Sequence, residues 1–346
     1  MYLNLIITLI ISLLGIGINC SDNSITPVEV KPGRRDYVWY VDTLKTSENS
    51  INGIDGVSQN DVWAVTVPGN FRQTFYHFDG VRWTTDSVYR PFSPLAIEVI
   101  SSTDIWCVGE EGGIWRYDGS TWQQSRKIVI DSSVFTTLYY TTGTSSNLFM
   151  VGSICRGGSK FYSLIYHYDG NHWSPIQIGN YPVQLYKISP FPFFNKYLIV
   201  GIRDQQKLDE SDTSKIYEFD GHNLNEIYSA AVGPYGWGDI SPIATGLIIS
   251  KGMKIYFSDG IGEKQLVDVE NIKLGNSIFA RSEKDIFLAM LDGIAHFNGT
   301  DIKYLFKYDR STVYIHGIKF FDKSVFIIAH DYDMNVNYIF RGYLKQ

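Results

Sequence analysis

Cysteine is scarce in this chain: three in 346 residues, at positions 20, 107 and 155. No two form a CxxC pair, and none has the Cys/His spacing of a zinc site. Positive charge is scarce too. Thirty Lys and Arg face 36 Asp and Glu, for a net charge of −6. No dense basic run is present, which argues against nucleic-acid binding through counterion release. GxSxG, HExxH, a P-loop and a GxGxxG in a βαβ setting are also missing, so no cofactor and no motif-borne enzyme class is implied. The one long apolar stretch, Leu5 to Ile18, has 14 residues, short of the roughly 20 that span a bilayer as a helix.

Aromatic residues are plentiful, at 15% of the chain, and 31 glycines accompany them. That composition favours strands over helices. The N-terminus stands apart. MYLNLIITLIISLLGIGINC is apolar and nearly uncharged, then turns polar at SDNSITP. It reads as an export signal. Cys20 stands at the polarity switch, and the stretch resembles a bacterial lipoprotein signal peptide, which carries its lipidated cysteine there. No Lys or Arg precedes the apolar run, and Gly17-Ile18-Asn19 lacks the usual Leu at −3 and small residue at −1. The resemblance implies a signal over residues 1–20, lipidation at Cys20 and a tether over 21–35. An ordinary secreted protein and an uncleaved anchor are the alternatives. In an exported protein Cys107 and Cys155 are permitted a disulfide, but each lies in or just after an apolar strand and reads as a buried thiol.

Internal repeats organise the rest. YHFDGVRW ends at Trp83, WRYDGSTW at Trp122 and YHYDGNHW at Trp173. YEFDGHNL, FSDGIGEKQL, AHFNGTDIKYL and IFRGYL are weaker copies. Glycines 80, 119, 170, 221, 260, 299 and 342 hold the turn position, at spacings of 39, 51, 51, 39, 39 and 43 residues. An apolar phrase precedes each, as in DVWAVTV from Asp61, DIWCVGE from Asp104, NLFMVGS from Asn147 and DIFLAML from Asp285.

The apolar phrase is too short for a helix and is rich in β-branched and aromatic residues, so it predicts a strand buried on both faces. The phrase ending in Asp-Gly alternates aromatic and polar residues, as a strand nearer the outside does. Asp-Gly predicts a tight type I′ hairpin. Ser58, Ser101 and Ser282 stand three residues before Asp61, Asp104 and Asp285 and predict an earlier turn. Four strands, a to d, in about 40 residues make a propeller blade. Seven turn glycines predict an all-β, seven-bladed β-propeller over residues 36–346. Only four residues follow Gly342, so the last blade lacks its outer strand; VWYVDTL, Val38 to Leu44, is predicted to supply it and close the ring.

The phrase D-[VI]-W-x-V-G … [HR]-[FY]-D-G-x-x-W resembles the blade repeat of exported bacterial β-propeller proteins. It is similar, less closely, to the propellers of extracytoplasmic sensors and to the kelch repeat. The resemblance spans residues 36–346 and implies a scaffold. Such families share no single activity, so it brings no catalytic residue.

His77, His167 and His296 each stand two residues before a turn Asp or Asn, where Arg116 and Glu218 also occur. Spread round the ring, they read as a polar strand position and not as a metal cluster. The Asp-Gly turn lacks the intervening residue of a sialidase Asp-box. Asn298-Gly-Thr300 fits a glycosylation sequon but lies on the turn. Function is expected on the variable d–a and b–c loops, which a propeller gathers on one face. SICRGGSKFYS from Ser153 and RDQQKLDESDTSK from Arg203 read as long b–c loops. Tyr89, Arg90, Phe92, Tyr181, Tyr235, Trp237 and Arg310 are the candidate binding residues, being of the types that anchor interfaces. Asp55, Glu98, Asp239 and His316 are placed near the channel, the three acids as the weaker candidates for catalysis. The expected role is non-catalytic binding at the cell envelope, to a protein partner or a surface glycan, with membrane contact through the lipid anchor only. A polysaccharide hydrolase or lyase using the channel carboxylates is the further alternative.

Overall fold

The computed structural model describes residues 30–44, 50–67, 71–157, 160–179, 181–203, 212–232, 236–269, 274–308 and 312–346, with Asn276 described by its backbone alone. Lys31–Gln346 form one compact unit. Its strands make seven four-stranded antiparallel sheets. Six sheets use consecutive strands a to d, from residues 51–84, 94–127, 134–175, 184–231, 238–268 and 274–307. In the seventh, Val313–Phe321, Ser324–Asp331 and Val336–Leu344 are strands a, b and c. Tyr37–Leu44 pairs antiparallel with that strand c, Tyr37 opposite Leu344 and Leu44 opposite Asn337. Each innermost strand packs on the next, and Val313–Phe321 packs on Ile51–Ser58. The sheets are the blades of a closed seven-bladed β-propeller, and a strand from the N-terminus completes the last blade as the sequence predicts.

The core sits between blades, not within them. Seven buried apolar clusters occupy the seven junctions. The repeated aromatics explain how. Trp63 of blade 1 strand b meets Tyr117 and Trp122 of blade 2 at 4.9 and 5.7 Å between ring centres. Trp106 of blade 2 meets Tyr168 and Trp173 of blade 3 at 5.4 and 5.6 Å. Phe326 of blade 7 meets Phe78 of blade 1 at 5.8 Å. So the Trp of the D-x-W phrase, although Trp63 stacks on His77 of its own blade at 4.3 Å, reaches across the junction. It packs on the [FY]-D-G-x-x-W phrase of the following one, and such offset and edge-on aromatic contacts carry large buried area.

Two expectations change. The Asp-Gly turns are not type I′, which needs positive φ at both residues. Only the Gly is left-handed, at φ +90° to +98° in blades 1 to 6. The Asp instead caps a four-residue loop. Asp118 Oδ1 accepts the N–H groups of Ser120 and Thr121, both at 2.9 Å, and Asp79, Asp169, Asp220, Asp259 and Asn298 repeat the geometry. Gly342 is not a turn residue at all. It lies inside Val336–Leu344 opposite Trp39, where a Cβ would meet the Trp39 ring at 2.8 Å. A last blade whose outer strand arrives from the N-terminus needs no c–d turn, so the blade count stands. SICRGGSKFYS is likewise a hairpin arm: its strands pair from Cys155 with Phe161 to Arg156 with Lys160. Cys107 is buried, Cys155 is half-buried, and both are free thiols.

Candidate binding face

Antiparallel a–b–c–d blades put a–b and c–d turns at one end and b–c and d–a connections at the other. Contacts between blades keep the ends aligned round the ring. The Ser102 hydroxyl donates to Asp61 Oδ2 at 2.6 Å between the a–b turns of blades 2 and 1. The turn end is uniform and self-satisfied. Ser58, Ser101 and Ser282 accept the N–H of Asn60, Thr103 and Lys284 at 3.2–3.3 Å. The polar strand-c position pairs with the acid that opens strand b. His77 bonds to Asp61 at 2.9 Å, Arg116 to Asp104 at 2.7 Å, and His296 to Asp285 at 2.7 Å. His167 bonds to Asn147 at 2.7 Å, and blade 4 reverses the polarity with Lys196 and Glu218 at 3.1 Å. These histidines therefore serve their own blades, and no cluster of three metal-ligating side chains occurs among the described residues.

The opposite end is irregular and apolar. A cavity of about 160 Å³ opens there across blades 5 to 7, lined by Trp237, Leu274, Met290, Leu291, Val313 and Tyr314. The connections that begin strands a of these blades supply Trp237, Leu274 and Tyr314, and the b–c turn of blade 6 supplies Leu291. Tyr314 is 50% exposed and sits edge-on to Tyr332 at 5.4 Å. Tyr332 and its turn neighbour Met334 are each 55% exposed. Large apolar groups left in water at one place mark an interaction surface more often than a scattered few do.

The sequence candidates divide among several environments. Trp237 lines the cavity. Tyr89 is exposed, edge-on to Phe71 at 5.9 Å. Tyr181 is half-buried against Tyr217 at 6.3 Å. Arg90 and Phe92 are buried, not displayed. Arg90 forms a two-point ion pair with Asp86, at 2.8 and 2.5 Å, and covers the Phe75 ring. Phe92 stacks on Trp115 at 5.6 Å, over Gly113, whose Cβ would collide with it. Tyr235, Arg310 and Cys20 lie outside the described residues. Tyr89, Tyr181 and Trp237 belong to different connections and share no ring contact among the described residues. Tyr314, Tyr332, Leu291 and Met334 were not singled out by sequence. Tyr314 is the second residue of strand a in blade 7, and Tyr332 directly follows strand b of the same blade.

The channel acids are staples between blades. Asp55 of blade 1 accepts the Val99 N–H of blade 2 at 2.6 Å and pairs with Lys319 of blade 7. Asp239 of blade 5 accepts the Ile278 N–H of blade 6 at 2.9 Å and pairs with Lys187 of blade 4 at 3.1 Å. Glu98 of blade 2 lies near Asp55 and accepts the Gly143 N–H of blade 3 at 3.5 Å; burial and the Asp55 charge push its carboxyl up to about 8. Burial and the nearby His330 push the His316 imidazole down to about 4, and its Nε2 is buried without a partner.

No family model matches the chain, and no curated protein matches it in sequence. Solved structures do match in three dimensions. YCF48 bound to D1 peptide is 16% identical with a TM-score of 0.62, over 92% of this chain and 100% of that one. The likeness is one of fold alone. YCF48 from Cyanidioschyzon merolae is 13% identical with a TM-score of 0.60, over 87% and 98% of the two chains. A catalytically inactive virginiamycin B lyase from Staphylococcus aureus with quinupristin is 11% identical with a TM-score of 0.59, over 88% and 99%.

Proposed function

We propose that this chain is a non-catalytic binding propeller of the cell envelope, exported and lipid-anchored at Cys20, that captures a segment of a protein partner on its irregular face. The observation that carries this reading is the apolar cavity at Trp237, Leu274, Leu291 and Tyr314, rimmed by exposed Tyr332. Aromatic anchors around an apolar cavity are what interface hot spots use. The fold neighbour YCF48, seen with a peptide, gives support by analogy. Asp55 and Asp239 are committed to main-chain N–H groups and lysines, which is why the reading places no reaction on them.

The test is capture from native envelope with the full chain, mild crosslinking and mass spectrometry. A Trp237→Ala/Tyr314→Ala chain, matched to the wild type by thermal melt, is expected to lose at least tenfold of the recovered partner, about 1.4 kcal/mol or more. Equal recovery by both chains sinks the choice of face. Recovery of envelope glycan without protein replaces the reading with glycan binding.

A further inference from the structure

At the turn end of the ring, the a–b turn of blade 4 departs from Ser-x-x-Asp with the most apolar sequence. The a–b turn of blade 4, Phe191-Pro-Phe-Phe-Asn-Lys196, replaces the polar Ser-x-x-Asp pattern with three phenylalanines. Phe191 is buried and fixes the turn, while Phe193 and Phe194 are 73% and 38% exposed. The Phe194 ring lies on the c–d turn of blade 5, where a Cβ on Gly260 would meet it at 2.7 Å. The next residue of that turn, Ile261, is 85% exposed. Ser120, Asn171, His222 and Thr300 stand at the same position in blades 2, 3, 4 and 6, and Val81, also exposed, in blade 1. The two turns thus meet where Phe194 covers Gly260, with Ile261 exposed beside it.

The chain also enters the ring at this end. Gly33 N–H donates to Lys284 O at 2.7 Å in the a–b turn of blade 6, and Arg35 donates to His296 O at 2.7 Å. Fourteen residues lie between Ile18, the end of the apolar run, and Gly33, so the fully extended chain spans at most about 54 Å. We infer that the turn end is the membrane-facing side of the ring, with Phe193, Phe194 and Ile261 entering the lipid interface beside the anchored N-terminus. The inference rests on the proposed anchoring. A lipid surface is favoured over a protein partner because Gly33, the start of the ring, and the apolar tips lie at the same end of it. A few aromatic and aliphatic tips suit the interface between headgroups and acyl chains, where apolar area is buried at shallow depth. The irregular binding face then points away from the bilayer.

The experiment uses the full chain in vesicles of phosphatidylethanolamine and phosphatidylglycerol, carrying Cys155→Ser and either Ile261→Cys or Met334→Cys labelled with an environment-sensitive dye. Met334 is exposed at the opposite end. The expected result is flotation of both, with a blue shift and quenching by spin-labelled lipid at Ile261 and neither at Met334. Flotation without lipid quenching at Ile261 overturns the inference and leaves the anchoring intact; so does a blue shift that lipid does not quench, which marks a protein contact. Failure of the wild-type chain to float overturns the anchoring and the inference together. A Phe193→Ser/Ile261→Ser chain melting with the wild type separates these results from misfolding.

Discussion

At the scale of single residues, the turn acids and the buried histidine tie stability to pH in predictable directions. The N–H groups of Thr121 and Ser120, with the Ser120 hydroxyl, hold the Asp118 carboxyl down to about 2, and those of Asn223 and His222 do the same for Asp220. An unfolded Asp titrates near 3.9. The unfolded chain therefore binds these protons more tightly, and the stabilisation, complete above about pH 4, is lost as pH falls towards 2. Asp118→Asn should preserve the melting temperature at pH 7, because Asn298 already makes this turn in blade 6, and should flatten the acid loss; Asp118→Ala should lower the melt at pH 7. Equal melts for all three at pH 7 and pH 3 would show that the cap contributes nothing. His316 acts in a higher window. Its folded value near 4 lies below the ordinary 6.5, so stability falls as pH drops from about 6.5 to 4. Glu98 has the opposite sign. Its raised value near 8 means that the folded state holds the proton, and stability falls as pH rises from about 4 to 8. Denaturant titrations should show Glu98→Gln gaining on the wild type across that range and levelling off above it. A constant difference would mean that Glu98 is solvated like a surface acid.

At the scale of elements, the unit of stability is the junction between two blades. Trp106 is 1% exposed and sits between blades 2 and 3 with Arg116 over its ring at 4.9 Å. Trp106→Ala should cost roughly 3–5 kcal/mol through the cavity it leaves, read as a lowered denaturation midpoint. An unchanged midpoint would remove Trp106 from the core. The strands were legible in the sequence because their cues are local: an apolar run, a turn pair, a fixed spacing. The aromatic phrase was readable as a repeat, but its purpose was not, since Trp63 and Trp106 are satisfied by the next blade, about 50 to 70 residues further on. The same holds for the acids at 55 and 239, which look like chemistry in one dimension and are staples in three. Arg90 and Phe92 fit an interface composition, yet a loop can bury its own aromatic and pair its own arginine, and nothing in a single sequence separates the two uses. The blade-4 turn PFPFFNK was visible as a break in the pattern only once the pattern's other copies had been aligned to the same end of the ring.

At the scale of the whole molecule, seven similar wedges are held by one dissimilar joint. Six blades are continuous in sequence, while the seventh joins Tyr37–Leu44 to Val336–Leu344 through eight register pairs. The joint is reinforced by Arg341 with Asp42 at 2.6 and 3.0 Å, and by the Trp83 indole donating to Asp42 at 3.0 Å from blade 1. Asp42→Ala removes a carboxylate on which both depend and leaves Arg341 half-buried without its acid. It should lower the melting temperature more than Asp118→Ala does, although both change one Asp. A smaller loss for Asp42→Ala would show that backbone pairing alone holds the ring shut.

That joint also sets when the molecule can finish folding. Synthesis delivers Tyr37–Leu44 first, and its partner Val336–Leu344 only roughly 300 residues later. Until then Tyr37–Leu44 is a strand without a neighbour, and blade 7 does not exist to receive it. A chain that stops before Val313 has six complete blades and two open flanks. Unpaired flanks of that kind invite aggregation and proteolysis. The clasp thus ties closure of the ring to the arrival of Val336–Leu344, because that strand is what covers Tyr37–Leu44.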